Sequence, residues 1–452
     1  MRHGAHTLAL TTLIVWIAAS GSVGVFLRQA VNLFIPTPRQ SIPPPEGWKS
    51  YQTFVGDVDG DGKQDLVWNA IGVDTVDNGN YLYVGFSKGD GSFTRSAFQS
   101  IPANGNWKYY QTYIGDVNGD GRQDLIWNSA GQGSVSDANY VYVGLSNGDG
   151  SFERQDRQKL NPSGGWGSYK TFTGDVNGDG LDDLIWNSVY QNPDAANYVY
   201  IGLSNGDGTF TGTALQSIPS NESWYSYKSY PGDFNGDGKL DLVWNSTQQS
   251  STQDANYVYV GFSNGDGSYT RTERQTIGAR GWKSYQTLVA DVNGDGADDM
   301  IWNSTRQNPD GGENFVYTAL SNGDGTFQVS ERQIIPPGSG WSNYRTLVGD
   351  VTCDGKADLI WNSMQQESGD RNLIYVGISK GNGTFTRSSL QVIPPDSGWS
   401  SYKTLLADLR GRQNLDLVWN STMQSETQDA NFVYTGLANF RHFYFYLPLL
   451  QN

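Results

Sequence analysis

The chain has a single cysteine, Cys353, in 452 residues. No intramolecular disulfide can form, so stability must come from packing or from bound metal. Histidine is almost as scarce. His3, His6 and His442 all stand near the termini, which leaves the interior without the commonest acid–base group. No motif gives a serine or the lone cysteine an activating base. Charged residues make up only 17 %, and the 30 basic ones are outnumbered by 46 acidic ones for a formal charge of −16. That balance argues against a nucleic-acid partner, because nothing here would neutralise phosphates. Acidity can signal disorder, but an aromatic content of 13 % speaks against it. Long apolar runs are missing too, with one exception. From Leu8 to Phe26, between Arg2 and Arg28, the chain is uncharged and mostly apolar. A basic start, an apolar stretch and Ala18-Ala19-Ser20 as cleavage site read as a secretory signal, and the run is long enough to stay as an anchor. Residues 1–37 are therefore expected to be a signal peptide or signal anchor plus a short linker. Either reading places the rest outside the cytoplasm, secreted or membrane-anchored.

What the chain does have is repetition. An Asp-Val-Asn-Gly-Asp-Gly marker, with variants, recurs at Asp57, Asp116, Asp175, Asp233, Asp291, Asp350 and Asp408, at spacings of 59, 59, 58, 58, 59 and 58 residues. These units fill residues 38–452 and leave no room for a linker or a second domain. The second unit shows the internal order. Trp107 to Gly115 reads as a strand that ends in the Asp116 loop. Asp124-Leu-Ile-Trp-Asn128 reads as a second, Asn139 to Leu145 as a third, and the stretch from Phe152 to Leu160 as a fourth. Between the third and fourth, Ser146-Asn-Gly-Asp-Gly150 supplies the positive φ of a hairpin turn. A solenoid would use fewer strands per shorter repeat and capping units. Four antiparallel strands, seven times, predict an all-β fold, a seven-bladed β-propeller. Closure is open to two readings. Unit 7 lacks the Asn-Gly-Asp-Gly turn, and its outer strand could come from Pro38-Arg-Gln-Ser-Ile-Pro43, which matches other fourth-strand endings, or from the aromatic stretch Phe440 to Leu447.

The marker continues to a ninth position, Asp-x-[Asp/Asn]-x-Asp-Gly-x-x-Asp. Oxygen ligands at positions 1, 3, 5 and 9, with the backbone carbonyl of position 7 and no His or Cys, select calcium. Unit 1 offers Asp57, Asp59, Asp61 and Asp65 with the Lys63 carbonyl. Unit 2 offers Asp116, Asn118, Asp120 and Asp124 with Arg122, and unit 3 Asp175, Asn177, Asp179 and Asp183 with Leu181. Unit 4 offers Asp233, Asn235, Asp237 and Asp241 with Lys239, and unit 5 Asp291, Asn293, Asp295 and Asp299 with Ala297. Unit 6, with Asp350, Thr352, Asp354, Asp358 and Lys356, is a weaker set. In unit 7, Arg410 and Arg412 replace positions 3 and 5. Two cations there would expel calcium, and a guanidinium paired with Asp408 and Asp416 would hold the turn instead. Five or six Ca²⁺ are expected, and six would bring the formal charge from −16 to about −4.

Asp-Val-Asn-Gly-Asp-Gly-x-x-Asp-Leu-Ile followed by Gly-Leu-Ser-Asn-Gly-Asp-Gly-Ser-Phe resembles FG-GAP or VCBS repeats, the units of integrin α-subunit propellers and of many exported bacterial proteins. The Gly-Trp before the first strand is also similar to fungal integrin-like propeller lectins. The resemblance implies calcium loops joining strands 1 and 2 on one face of the disc, with ligands approaching the opposite face.

Fourteen of the fifteen tryptophans fall two per unit. Trp48, Trp107, Trp166, Trp224, Trp282, Trp341 and Trp399 precede the first strand, while Trp68, Trp127, Trp186, Trp244, Trp302, Trp361 and Trp419 end the second. Strict periodicity predicts packing between blades. The sharper alternative is a ring of sugar-stacking platforms, with neighbouring Asn and Tyr as hydrogen-bond partners, as a multivalent lectin would use. The expected function is a monomeric, non-catalytic binding module for an extracellular glycan or protein. A propeller-type polysaccharide-degrading enzyme and a purely structural surface-assembly protein are the alternatives.

Overall fold

The computed structural model describes residues 13–17, 23–27 and 32–440, apart from two loops in each blade: 43–47, 73–78, 103–106, 131–137, 161–165, 192–195, 220–223, 248–254, 279–281, 306–312, 337–340, 367–370, 394–398 and 423–430. Each repeat forms one antiparallel sheet, and the seven sheets are the blades of a propeller. In blade 2, Gln111–Gly115, Asp124–Ala130 and Asn139–Ser146 pair in sequence order. The fourth strand is broken in two. Phe152–Arg154 pairs with the end of the third strand and Gln158–Leu160 with its start. At the break, the Gln155 N–H still donates to the Val143 carbonyl at 2.7 Å.

The first strands form the inner ring and touch their neighbours between blades 1 and 2, 2 and 3, 4 and 5, 5 and 6, and 7 and 1. Seven hydrophobic clusters then lie at the seven blade junctions. Alternation along the strand explains this arrangement. Leu66 and Trp68 pack towards blade 7, whereas Val67 between them packs with Trp107, Tyr110 and Trp127 of blade 2. The second strand is thus buried on both sides. Glycine in the third strand makes room for the tryptophan. A Cβ added at Gly144 would lie 2.8 Å from Trp127.

The N-terminal segment closes the ring. Phe34–Pro36 and Gln40–Ile42 pair with Asn431–Ala438, with Phe34 opposite Ala438 and Ile42 opposite Asn431. The outer strand of blade 7 therefore begins at Phe34 rather than at residue 38. Of the rival stretch, Phe440 stacks edge-on against Phe34 at 6.0 Å, and residues 441–452 lie outside the described residues. Further back, Leu13–Ile17 and Val23–Leu27 pair as a separate two-stranded antiparallel sheet. Among the described residues, no helix is long and apolar enough to cross a membrane.

Candidate metal loops and the opposite face

All seven Asp loops join the first and second strands, on the same face as the third-to-fourth-strand hairpins. Blade 1 shows how the sequence folds there. Gly60 and Gly62, at positions 4 and 6, have φ of 76° and 81°, a left-handed conformation that costs glycine little. The chain curls so that Asp57 accepts from the N–H groups of Gly60 and Gly62 at 2.7 and 2.8 Å. Asp59 accepts from Asp61 N–H at 3.1 Å, and Asp61 from Lys63 N–H at 2.9 Å. Carboxylate oxygens of Asp57, Asp59 and Asp61 thereby lie within 4.8 Å of one another. The same pattern positions Asp116, Asn118 and Asp120, Asp175, Asn177 and Asp179, Asp233, Asn235 and Asp237, and Asp291, Asn293 and Asp295.

The ninth position is different. Asp65 is buried, and its two oxygens accept from Ser87 N–H at 2.8 Å and Val58 N–H at 3.3 Å. Burial, joined by the charges of Asp59 and Asp57, pushes its carboxyl up to about 7. Asp124, Asp183, Asp241, Asp299 and Asp358 are likewise pushed up to about 7, first of all by burial. Converging hard oxygens beside a buried carboxylate fit a calcium ion, which would oppose both the burial and the mutual repulsion. The side chains of positions 1, 3 and 5 would hold it, whereas the ninth-position Asp65 lies outside the cluster of Asp57, Asp59 and Asp61 with each oxygen accepting a backbone N–H. Position 7 carries a competing cation in four blades, since Lys63, Arg122, Lys239 and Lys356 pair with Asp61, Asp120, Asp237 and Asp354.

Blade 6 departs at position 4, where Cys353 adopts a φ of 60° that the other loops give to glycine. Asp350 still accepts from Cys353 N–H at 2.6 Å and Gly355 N–H at 2.9 Å, and Thr352 turns its hydroxyl to Asp350 rather than outward. In blade 7, Arg410 donates to both oxygens of Asp416 at 3.0 and 2.6 Å and to the Ala438 carbonyl at 3.0 Å. Asp408 is left to the backbone N–H groups of Arg410, Arg412 and Gln413. A guanidinium thus sits against the buried ninth-position carboxylate.

The loops also join blade to blade. The N–H of position 8 donates to the position-1 carbonyl of the preceding blade in every case, from Gln123 to Asp57 at 2.7 Å round to Gln64 to Asp408 at 2.8 Å. The ring is closed, seven bonds for seven junctions. A serine ending the third strand adds a second link in blades 1 to 6, as in Ser146 Oγ to the Val58 carbonyl at 2.6 Å.

The tryptophans pack; they are no platforms. Those of both sets are at most 2 % exposed. Trp166 meets Trp186 edge-on at 5.8 Å and lies 4.8 Å from Tyr169. The Trp186 indole N–H donates to Asn128 of the preceding blade at 3.0 Å, and Thr171 donates to the same oxygen at 2.7 Å. That bond recurs at all seven junctions. A sugar cannot stack on a ring that is already covered on both sides. Replacing Trp166 by Ala is expected to destabilise by ~3–5 kcal/mol, measured by denaturant unfolding. An unchanged midpoint would contradict the packing role.

Polar pockets open instead at blade junctions on the face away from the Asp loops. One of about 340 Å³ is lined by Tyr109, Gln111, Tyr113, Asn128, Lys170 and Thr171. Another of about 400 Å³ is lined by Tyr227, Lys228, Tyr230, Asn245, Tyr285 and Gln286.

Residues 109–143 match the FG-GAP repeat, and residues 175–244 the FG-GAP-like repeat. Integrin alpha-PS3 of Drosophila melanogaster is 31 % identical over 147 residues, which is 30 % of this chain and 13 % of that protein. The match therefore spans a small part of that relative. Among solved structures, the S. cerevisiae Core Factor covers 90 % of this chain and 61 % of its own at a TM-score of 0.47 and 10 % identity. The polysaccharide lyase Uly1 covers 87 % and 90 % at 0.47 and 10 %. Overlap this loose says nothing about what the chain does. Seven closed blades with their aspartate loops, matched by FG-GAP repeat models over blade 2 and from blade 3 into blade 4, make this chain a β-propeller similar to those built from FG-GAP repeats.

Proposed function

We propose that the protein is an exported binding module whose Asp loops hold calcium in blades 1 to 5, and more weakly in blade 6, while the opposite face takes a glycan or protein ligand. The observation that carries the metal part is Arg410. Where the oxygen-bearing side chains of positions 3 and 5 are replaced by arginine, a guanidinium stands against the buried Asp416; where they are kept, no comparable cation reaches the ninth position among the described residues. Bound calcium would supply positive charge and cross-link each loop to the blade. Because the loops are also bonded to one another around the ring, stiffening them holds the far ends of the strands in place. The apolar run from Leu8 to Phe26 supports export.

The same logic predicts a gained site. Arg410→Asn, Arg412→Asp and Gln413→Gly together restore the nine-position pattern in blade 7 and are expected to add one bound calcium per chain by calorimetric titration. An unchanged count would contradict it. The binding part is tested by a glycan array run with calcium and again with chelator. Calcium-dependent capture is expected, and turnover of any bound polysaccharide would overturn the non-catalytic reading.

A further inference from the structure

We infer that the mouth of the central channel, on the face away from the Asp loops, binds an anionic polysaccharide, a chain of carboxylated or sulfated sugars. The inference rests on the reading of that face as a binding face and names its ligand class. Each unit opens with Trp-x-x-Tyr followed by Gln, Lys or Arg, and each opening carries one cation. In blades 3, 4, 6 and 7 it is the first residue of the inner strand, Lys170, Lys228, Arg345 and Lys403. In blades 1, 2 and 5 that residue is Gln52, Gln111 or Gln286, and the cation has moved back into the preceding 3₁₀ turn as Lys49, Lys108 or Lys283. No Asp or Glu occurs from the tryptophan to the end of any of these strands. One cation per unit, at one of two places three residues apart and with no acid in the same segment, stands out in a chain with 46 acidic and 30 basic residues.

The fold gathers them. The inner strands ring the axis, and register sets their first residues at the end remote from the loops, since Lys170 pairs with Asn187 and Gly174 with Asp183. Four residues of strand separate the two ends by roughly 14 Å. Lys108, Lys170, Lys228, Lys283, Arg345 and Lys403 are all exposed. Among the described residues, Lys170, Lys228, Lys283, Arg345 and Lys403 have neither an ion-pair nor a hydrogen-bond partner. Many other cations are committed, for Arg154 and Arg271 lie over Tyr142 and Tyr259, and Lys63 and Arg410 pair with aspartates. All seven loops between the second and third strands at this end carry at least one Asp or Glu and lie outside the described residues, and Glu313 beside one of them is exposed, so the cations meet a ligand inside a more acidic rim.

The lining chooses the ligand. Lys170, Lys228 and Arg345 each border a junction pocket that also offers tyrosine and asparagine. Aromatic, amide and cation together suit a sugar ring that bears an acid. Cations repeated around one mouth suit a polymer whose charges also repeat.

The test uses the full-length protein with calcium present, and a variant carrying Lys170→Gln, Lys228→Gln, Arg345→Gln and Lys403→Gln. These side chains are exposed, and glutamine already occupies the same place in three blades, so an unchanged melting temperature serves as the folding control. A second variant, Lys88→Gln, Arg157→Gln, Lys159→Gln and Lys380→Gln, which removes four exposed cations from hairpins and outer strands away from this mouth, is the control for net charge. Probes are polygalacturonate, dextran sulfate, neutral dextran and single-stranded DNA in biolayer interferometry. The parent is expected to bind polygalacturonate or dextran sulfate, which tells carboxylate from sulfate. The variant should lose at least about tenfold in affinity, and added salt should weaken the parent. Retained affinity in the variant overturns the inference. So does binding of single-stranded DNA as tight as that of the anionic glycans. Neutral dextran bound as tightly as the charged glycans overturns it too, yet leaves the binding-module reading standing.

Discussion

Deleting residues 1–43 is expected to cost the protein its cooperative fold. Those residues contain the outer strand of blade 7, Phe34–Pro36 and Gln40–Ile42. Phe34 and Ile42 are buried to 0 % and 1 % exposure, and burying each contributes about 1.5–3 kcal/mol. Two glutamines clamp the strand from either side. Gln391 of blade 6 takes both the N–H and the carbonyl of Phe34 at 2.9 and 2.6 Å, and Gln40 does the same to Phe93 of blade 1 at 2.8 and 2.5 Å. Each such bond is worth ~1 kcal/mol net. Together with six paired ladder residues, the loss approaches the ~5–15 kcal/mol that holds a typical domain folded. The truncated chain would also expose the edge of Asn431–Ala438, an open template for another chain. Size-exclusion chromatography and thermal unfolding should show association and a broad, early transition. A monomer that melts where the parent does would contradict closure by this strand.

Stripping calcium should have a comparable effect. A ligand that binds only the folded state contributes about 2.7 kcal/mol per site at a hundredfold excess over Kd. Five sites would add more than about 10 kcal/mol, enough to raise the melting temperature by at least about 10 °C. The metal-free loops are costly for reasons visible in them. Asp57, Asp59 and Asp61 crowd their carboxylates, and Asp65 is buried beneath them. Differential scanning fluorimetry with calcium and with EGTA measures the difference, and coincident transitions would contradict the metal reading.

Much of this was legible because the repeat averages out local ambiguity. Strand order, the hairpins and the aspartate loops recur in each unit or nearly so, and Arg410 and Arg412 in one unit pointed to the ion pair with Asp416. What escaped the sequence lies between units. The Asn that follows each second-strand Trp looked like a sugar partner, yet Asn128 accepts from Trp186 and Thr171 of the next blade. Such a bond spans 58 residues, and nothing within one unit reveals it. The sequence leaves the closing strand open between two segments for the same reason. Phe440 to Leu447 is as strand-like as the N-terminal segment, and only the reach of Gln391 and Gln40 into adjoining blades sets them apart. The recurring glutamine, Gln99, Gln158, Gln216, Gln275, Gln333 and Gln391 with Gln40 in step, was the available signal. The break in the fourth strand left no mark, because Gln155-Asp156-Arg157 is ordinary strand-edge composition.

The most direct test of the account is the number of calcium ions on the intact chain. Blades 1 to 5 present full oxygen sets, blade 6 replaces Asn by Thr352, and in blade 7 Arg410 pairs with the ninth-position aspartate. Elemental analysis after dialysis against buffered calcium should therefore return five or six ions per chain. Seven would show that Arg410 does not exclude the metal, and none would show that the loops are hydrogen-bonded turns and nothing more.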